Sequence, residues 1–283
     1  MTWEPAGPAW LFCPADRPER YSKAAAAADV VIIDLEDAVA AADKPAARDA
    51  VAASSMDPER TVIRVNAHGT EDIAADLSMV ARTDYRRVML AKTESAEQLL
   101  ALDGYQVVAL IESPLGAVNV NEIASAPNAI GAMWGAEDLV AALGGTSSRF
   151  ADGSYRDVAR HVRTSTLLAA KARGLFALDS VYLDIDDTDG LGTETDDAVA
   201  VGFDGKVAIH PRQVPVIRDA YAPTADDVDW ARRLLEAVSS NRGVFTFEGK
   251  MVDAPVLRHA ERILRRTGAR DRHDHAHQNG GGR

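Results

Sequence analysis

VVIIDLEDAV, residues 30–39, runs four β-branched apolar residues straight into Asp34, Glu36 and Asp37. The run does not alternate, so it suits a strand covered on both faces, as in a parallel sheet. Carboxylates are seldom buried without a partner, so three at the end of such a strand point to a polar site there. Runs of the same kind recur. Strands are expected at 9–14, 30–36, 61–66, 87–93, 107–113, 129–135, 180–186 and 206–211. Ala-rich or amphipathic segments between them suit helices. Strand and helix alternating eight times predict an α/β fold, a (β/α)8 TIM barrel over residues 1–222. An open doubly wound sheet would carry the same local pattern. The chain has 283 residues and is 47% hydrophobic, enough for one large core.

Residues 223–270 read as a C-terminal extension. It opens with a helix at 226–240, for which Thr224 and Asp227 form a capping box. A short hairpin follows, turning at Glu248-Gly249-Lys250, and then a helix from about Asp253. The polar, Gly-rich residues 271–283 read as a disordered tail. Its His273, His275 and His277 suit a solvated tail better than a metal site.

The formal net charge of −12 argues against nucleic acid and anionic membrane as partners. With one cysteine, Cys13, no internal disulfide forms. That composition, and an N-terminal stretch unlike a secretion signal, lead to an expectation of a cytoplasmic protein. No GxGxxG or GxxxxGK[ST] follows a strand, which removes the best sequence sign of a dinucleotide or P-loop site.

In parallel barrels, chemistry gathers at the C-terminal ends of the strands. Those ends carry Asp34, Glu36, Asp37, Arg64, Asn66, Lys92, Glu112, Glu137, Asp138, Asp184, Asp186 and His210. Carboxylates crowded on one rim repel, and a divalent cation relieves the repulsion. Oxygen-only donors favour Mg2+, or Mn2+, over zinc. Glu112 and Asp138, on neighbouring strands, are the expected direct ligands. Glu36 and Asp37 are placed to hold metal-bound water; the plainer alternative has Asp37 capping a helix at Ala38 and Glu36 pairing with Arg64. Arg64 inside a strand needs an anion, and its planar fork suits carboxylate or enolate oxygens. The amides of Gly135 and Ala136, at a helix start, add a nest for a carboxylate. Together these suit an α-keto acid.

LFCPADRPERYSKA, DLEDAV, RVN, IESPLGA, GAEDL and AIHPRQ occur in the order seen in the citrate lyase β-subunit-like family of the HpcH/HpaI aldolase group. The chain resembles that family over residues 9 to about 265, in particular its stand-alone, actinobacterial CitE-like type. The resemblance implies Mg2+-dependent cleavage of a 3-hydroxyacyl-CoA of the citramalyl-, malyl-, citryl- or 3-hydroxy-3-methylglutaryl-CoA type. It implies Arg64 as the substrate arginine and Glu112 and Asp138 as metal ligands. It implies homotrimers or hexamers in which Asp253, in GKMVDAP, reaches a neighbour's site. It also makes Arg20 and Lys23 contacts to CoA, against the alternative of a solvated helix face. The family usually has glycine where this chain has Ala15, so a different loop turn is expected there. His210 either orients the thioester or is a buried structural residue. The rival activities on the same site are a malate synthase-like condensation, an acyl-CoA thioesterase or a CoA-free aldolase. A non-catalytic subunit of a citrate lyase complex is the rival outside enzymes.

Overall fold

The structure, a computed structural model, describes residues 3–238 and 245–279, with side chains to Thr267. Eight strands close a barrel in chain order: β1 (Ala9–Pro14), β2 (Val30–Asp34), β3 (Thr61–Val65), β4 (Arg87–Leu90), β5 (Gln106–Ile111), β6 (Ala129–Trp134), β7 (Phe176–Asp179) and β8 (Gly205–Ala208). Every neighbouring pair is parallel, and β8 returns to β1. This is the (β/α)8 barrel, not the open sheet. The connecting helices are α1 (Tyr21–Ala27), α2 (Lys44–Ala52), α3 (Glu71–Val80), α4 (Ala96–Leu100), α5 (Pro114–Ile123), α6 (Ala136–Ala142), α7 (Asp157–Ala172), α8 (Thr188–Val201) and α9 (Gln213–Tyr221). No helix among the described residues is long and apolar enough to cross a membrane.

The apolar runs form strands because both faces find cover. Trp10, Ile32, Val62, Met89, Leu110, Met133, Leu178 and Val207 fill one core cluster. Fully burying each aliphatic side chain contributes about 1.5–3 kcal/mol. A one-residue slip would turn each of these outward, so the register is held wherever the core is apolar. That register sets Asp34 directly opposite Arg64.

The seventh strand departs from expectation. Residues 180–186 are not a strand; β7 is the short FALD, 176–179, just after Gly174 turns the chain at φ 70°. Asp184 and Asp186 therefore do not end a stave. The Asp184 carboxylate accepts from the amides of Asp186 and Asp187 at 3.0 and 3.2 Å, closing a loop turn. Asp186 pairs with Arg212, and both are exposed. The carboxylate that does end β7, Asp179, is fully buried. It accepts from Trp134 Nε1 (2.7 Å), Arg163 (2.9 and 3.1 Å) and Lys206 Nζ (3.2 Å). Burial works to raise its carboxyl, but Lys206 and Arg163 outweigh that and hold it at about 2. Lys206, also fully buried, donates to Glu194 (2.8 Å) on α8 and to the Ser180 carbonyl (2.7 Å). Asp179→Ala would strand Lys206 beside too few anions. It is expected to lower stability by about 3–5 kcal/mol, read as a lower thermal midpoint at neutral pH. A loss within ordinary surface-mutation range would contradict that reading.

The chain divides into two compact units, residues 1–217 and 218–283, against the expected boundary after residue 222. In the second unit α10 (Ala225–Val238) packs on α11 (Ala254–Asn279) through Ala231, Leu234, Ala260 and Ile263. The expected capping box is formed: Thr224 Oγ1 accepts from the Asp227 amide at 3.1 Å, and Asp227 Oδ2 accepts from the Thr224 amide at 3.1 Å. The hairpin joins β9 (Phe245–Phe247) to β10 (Lys250–Val252) through Glu248 and Gly249, both at positive φ. That is the two-residue turn whose twist matches antiparallel strands. Helical backbone runs on to Asn279, through part of the stretch that composition reads as a disordered tail. The side chains of His273, His275 and His277 and all of residues 280–283 lie outside the described residues.

Candidate active site

The C-terminal ends of β2, β3, β4 and β5 and the first turn of α6 bring one set of charges together. Arg64, near the end of β3, is buried. Its Nε and Nη2 reach Asp34 at 2.7 and 2.5 Å, its Nη1 lies 3.1 Å from Glu36, and its guanidinium carbon sits 4.7 Å over the Phe12 ring. The fork expected for substrate oxygens is thus closed on Asp34. An arginine inside a core strand needs a fixed counter-charge, and the opposing strand supplies it. Burial works against the guanidinium's charge, but Asp34, Glu36 and Glu112 more than restore it. What Arg64 presents to the mouth is its remaining edge and its charge.

Asp34 also accepts from the amides of Glu36 (2.9 Å) and Ala38 (3.2 Å). It therefore shapes the turn that presents Glu36 and Asp37. No helix starts at Ala38, so Asp37 caps none. Both carboxylates bind the ammonium of Lys92 instead, Asp37 at 3.0 Å. Burial pushes the Glu36 carboxyl up, against the pull of Arg64 and Lys92. For Asp37, burial is outweighed by the Lys92 hydrogen bond, which holds its carboxyl below the usual range.

Glu112 follows β5 and is 3% exposed. Its Oε1 accepts from the Lys92 amide at 3.0 Å. Burial, with Asp138 and Glu36 adding and Arg64 opposing, pushes its carboxyl up to about 8. Gly135 explains how it fits: a Cβ there would lie 2.8 Å from Glu112 Oε2 and 2.9 Å from its Cβ. Any side chain at 135 would push the carboxylate out. The Gly135 amide, however, donates to the Ile111 carbonyl at 2.9 Å. Of the two amides expected to cradle a carboxylate, Ala136 alone stays in the reading. Asp138, in the first turn of α6, is 41% exposed and lies 3.7 Å from Lys92 Nζ.

Other rim residues turn elsewhere. Glu137 accepts from Ser148 Oγ at 2.7 Å. Asn66 donates to Asp76 (2.9 and 2.7 Å) and to the Leu35 carbonyl (3.1 Å), bracing the β2 end from outside the barrel. His210 is partly exposed rather than buried, and its Nδ1 accepts from the Arg212 amide at 3.2 Å. Arg20 and Lys23 are exposed, Arg20 4.0 Å from Glu19. Ala15 is buried and donates to the Asp34 carbonyl at 2.9 Å. Its φ is not positive, so this turn accepts alanine without strain. Asp253 belongs to the second unit, where its Oδ1 accepts from the Val256 amide at 3.3 Å and caps α11.

Two residues carry more of this geometry than sequence reading gave them. Asp34 is one, and its role needs the β2–β3 register. Lys92 is the other, and its signal is local: a lysine after an apolar strand, two residues before Glu94 and with no helix partner of its own. Among the described residues, no three His, Cys, Asp or Glu side chains converge to hold a metal. An ion bound by Glu112 and Asp138 would complete its shell from water and substrate.

The family profile for HpcH/HpaI aldolase/citrate lyase matches residues 9–211. The chain is 61% identical over 268 residues to the citrate lyase subunit beta-like protein of Mycobacterium tuberculosis, covering 95% of this chain and 98% of that one. It is 30% identical over 269 residues to the mitochondrial citramalyl-CoA lyase of Rattus norvegicus, covering 83% and 78%. It is also similar to the crystal structure of CitE from M. tuberculosis in complex with magnesium, acetoacetate and coenzyme A. There the TM-score is 0.88 at 62% identity, over 93% of this chain and 98% of that one.

Proposed function

Since this chain belongs to the HpcH/HpaI aldolase/citrate lyase family, a family of lyases, we propose that it cleaves a 3-hydroxyacyl-CoA into a keto acid and an acyl-CoA. The substrate class is citramalyl-, malyl-, citryl- or 3-hydroxy-3-methylglutaryl-CoA, and the metal is Mg2+, with Mn2+ able to replace it. The observation that carries this reading is the meeting of Arg64, Lys92, Glu112 and Asp138 at one barrel mouth.

The donor set fits a hard divalent cation. Glu112 and Asp138 offer oxygen only, and Mg2+ commonly takes one or two protein carboxylates. Burial and like charges drive Glu112 toward its neutral form, the condition that a cation beside it reverses. When bound, the ion supplies a Lewis acid that polarises the substrate's oxygens. A base takes the C3 hydroxyl proton, the oxygen's electron pair closes the C3=O bond of the keto product, and the C2–C3 bond breaks. The bonding pair passes to the thioester side as an enolate, and C2 then takes a proton.

Arg64 stabilises the negative charge that grows on oxygen. Asp34 fixes its orientation beforehand, so little reorganisation is needed during reaction. The Ala136 amide receives the keto-acid carboxylate. Glu36 and Asp37 act from beside the substrate by holding Lys92. Asp253 of a neighbouring copy in a trimer or hexamer protonates the enolate carbon. Arg20 and Lys23, exposed beside β1, contact the phosphates of CoA.

The test is a panel of the four thioesters with purified protein, with Mg2+ or with chelator, following products by mass. One thioester is expected to yield a keto acid and a shorter acyl-CoA, with nothing under chelator. Free CoA with an intact hydroxy acid would mean a thioesterase, and no cleavage of any member would overturn the proposal.

A further inference from the structure

Besides Asp34, which is closed on Arg64, the mouth holds four carboxylates, Glu36, Asp37, Glu112 and Asp138, and a divalent cation has more than one way to settle among them. We infer that Lys92 is a positioning residue that limits the mouth to a single metal position, by keeping its own ammonium on Glu36 and Asp37. This rests on the proposed metal role of Glu112 and Asp138.

Three observations lead to it. The Lys92 ammonium bonds both Glu36 and Asp37, and stands 3.7 Å from Asp138. Its backbone amide meanwhile donates to Glu112 at 3.0 Å, so one residue reaches all four of these carboxylates. Lys92 does this from φ 49°, the left-handed region that a long side chain seldom adopts. A glycine would take that conformation freely but would bring no charge. The turn is held from both sides: the Thr93 amide donates to the Leu110 carbonyl at 3.0 Å, and Thr93 Oγ1 donates to the Leu90 carbonyl at 2.8 Å. Strain kept by such bracing marks a position where the side chain has a task.

The task follows from charge. Glu36 and Asp37 are adjacent in sequence and share one cation, as a pair of oxygen donors that suits Mg2+ or Mn2+ as well as an ammonium. With Lys92 there, a metal finds its place only on the side of Glu112 and Asp138, facing the edge of Arg64. Without it, the Glu36–Asp37 pair becomes a second metal position, and the first loses a repelling neighbour.

Mn2+ titration followed by electron paramagnetic resonance counts bound ions without using activity. Wild type and Lys92→Arg are expected to bind one equivalent. Lys92→Met is expected to bind two, the first about tenfold tighter than in wild type. Lys92→Gly keeps the backbone conformation and its amide, so it should also bind two, and it serves if the methionine variant does not fold. One equivalent in whichever of these variants folds would overturn the inference while leaving Glu112 and Asp138 as ligands. A wild type that binds no Mn2+ would instead overturn the metal reading on which it rests.

Discussion

Asp253→Asn is expected to lower kcat by about a hundred- to ten-thousand-fold, with unchanged folding and unchanged Mg2+ affinity. The separation is built into the local structure. Asp253 caps α11 by accepting from the Val256 amide, and asparagine offers an oxygen in the same position. Aspartate and asparagine are about equal at a helix N-cap, so the helix should not notice the exchange. What is lost is the group that exchanges a proton with the enolate carbon. Steady-state turnover, thermal midpoint and metal titration, measured side by side, check all three arms. A variant with near-normal kcat would remove Asp253 from the chemistry and leave it as a cap.

Arg64→Ala should be costly twice. The buried carboxylates of Asp34 and Glu36 lose their shared cation, which should reduce stability by about 3–5 kcal/mol. Transition-state stabilisation should fall as well, lowering kcat/KM by about a hundred- to thousand-fold. Arg64→Lys separates the effects. Lysine keeps a charge beside Asp34 but cannot make the two-pronged contact, so most of the stability should return while kcat/KM stays low. If lysine restores full activity, charge alone suffices and the fixed guanidinium is not needed. Thermal unfolding and kinetics on the same preparations read both.

Much of the barrel was legible because its strands are short apolar runs between turn-rich or Ala-rich segments, a pattern that depends on neighbours in sequence. The seventh strand was misplaced for the same reason. Val181, Tyr182 and Leu183 look more strand-like than Phe-Ala-Leu, yet the sheet uses the latter, because Leu178 and Asp179 pair with Gly205 and Lys206. That choice depends on a partner 27 residues away, between Asp179 and Lys206. The helix α8, rich in Gly, Asp and Thr, offered little helical signal and is started by Asp187 accepting from the Gly190 amide at 2.9 Å.

At the mouth, residue types were legible and their pairings were not. Arg64 beside the carboxylates of 34–37 could be read from strand ends, but which carboxylate closes its fork is set by register. The backbone of Gly135 looked like an anion donor from its place before a helix. Its amide is spent on the sheet, and its missing side chain is what matters, as the space for Glu112. Lys92 was visible as one more charge at a strand end. That it joins Glu36, Asp37, Asp138 and Glu112 follows only from three strands meeting around its left-handed turn.

Calorimetric titration of Mg2+ into wild type, Glu112→Gln and Asp138→Asn bears on the shared pocket without any assumption about substrate. Neither residue braces the barrel core as Asp34 and Asp179 do, so both variants should fold. Wild type should bind one ion, and each variant should lose at least about tenfold in affinity. Unchanged affinity in both would mean that the carboxylates at the ends of β5 and β6 hold no metal, and that the mouth serves some other chemistry.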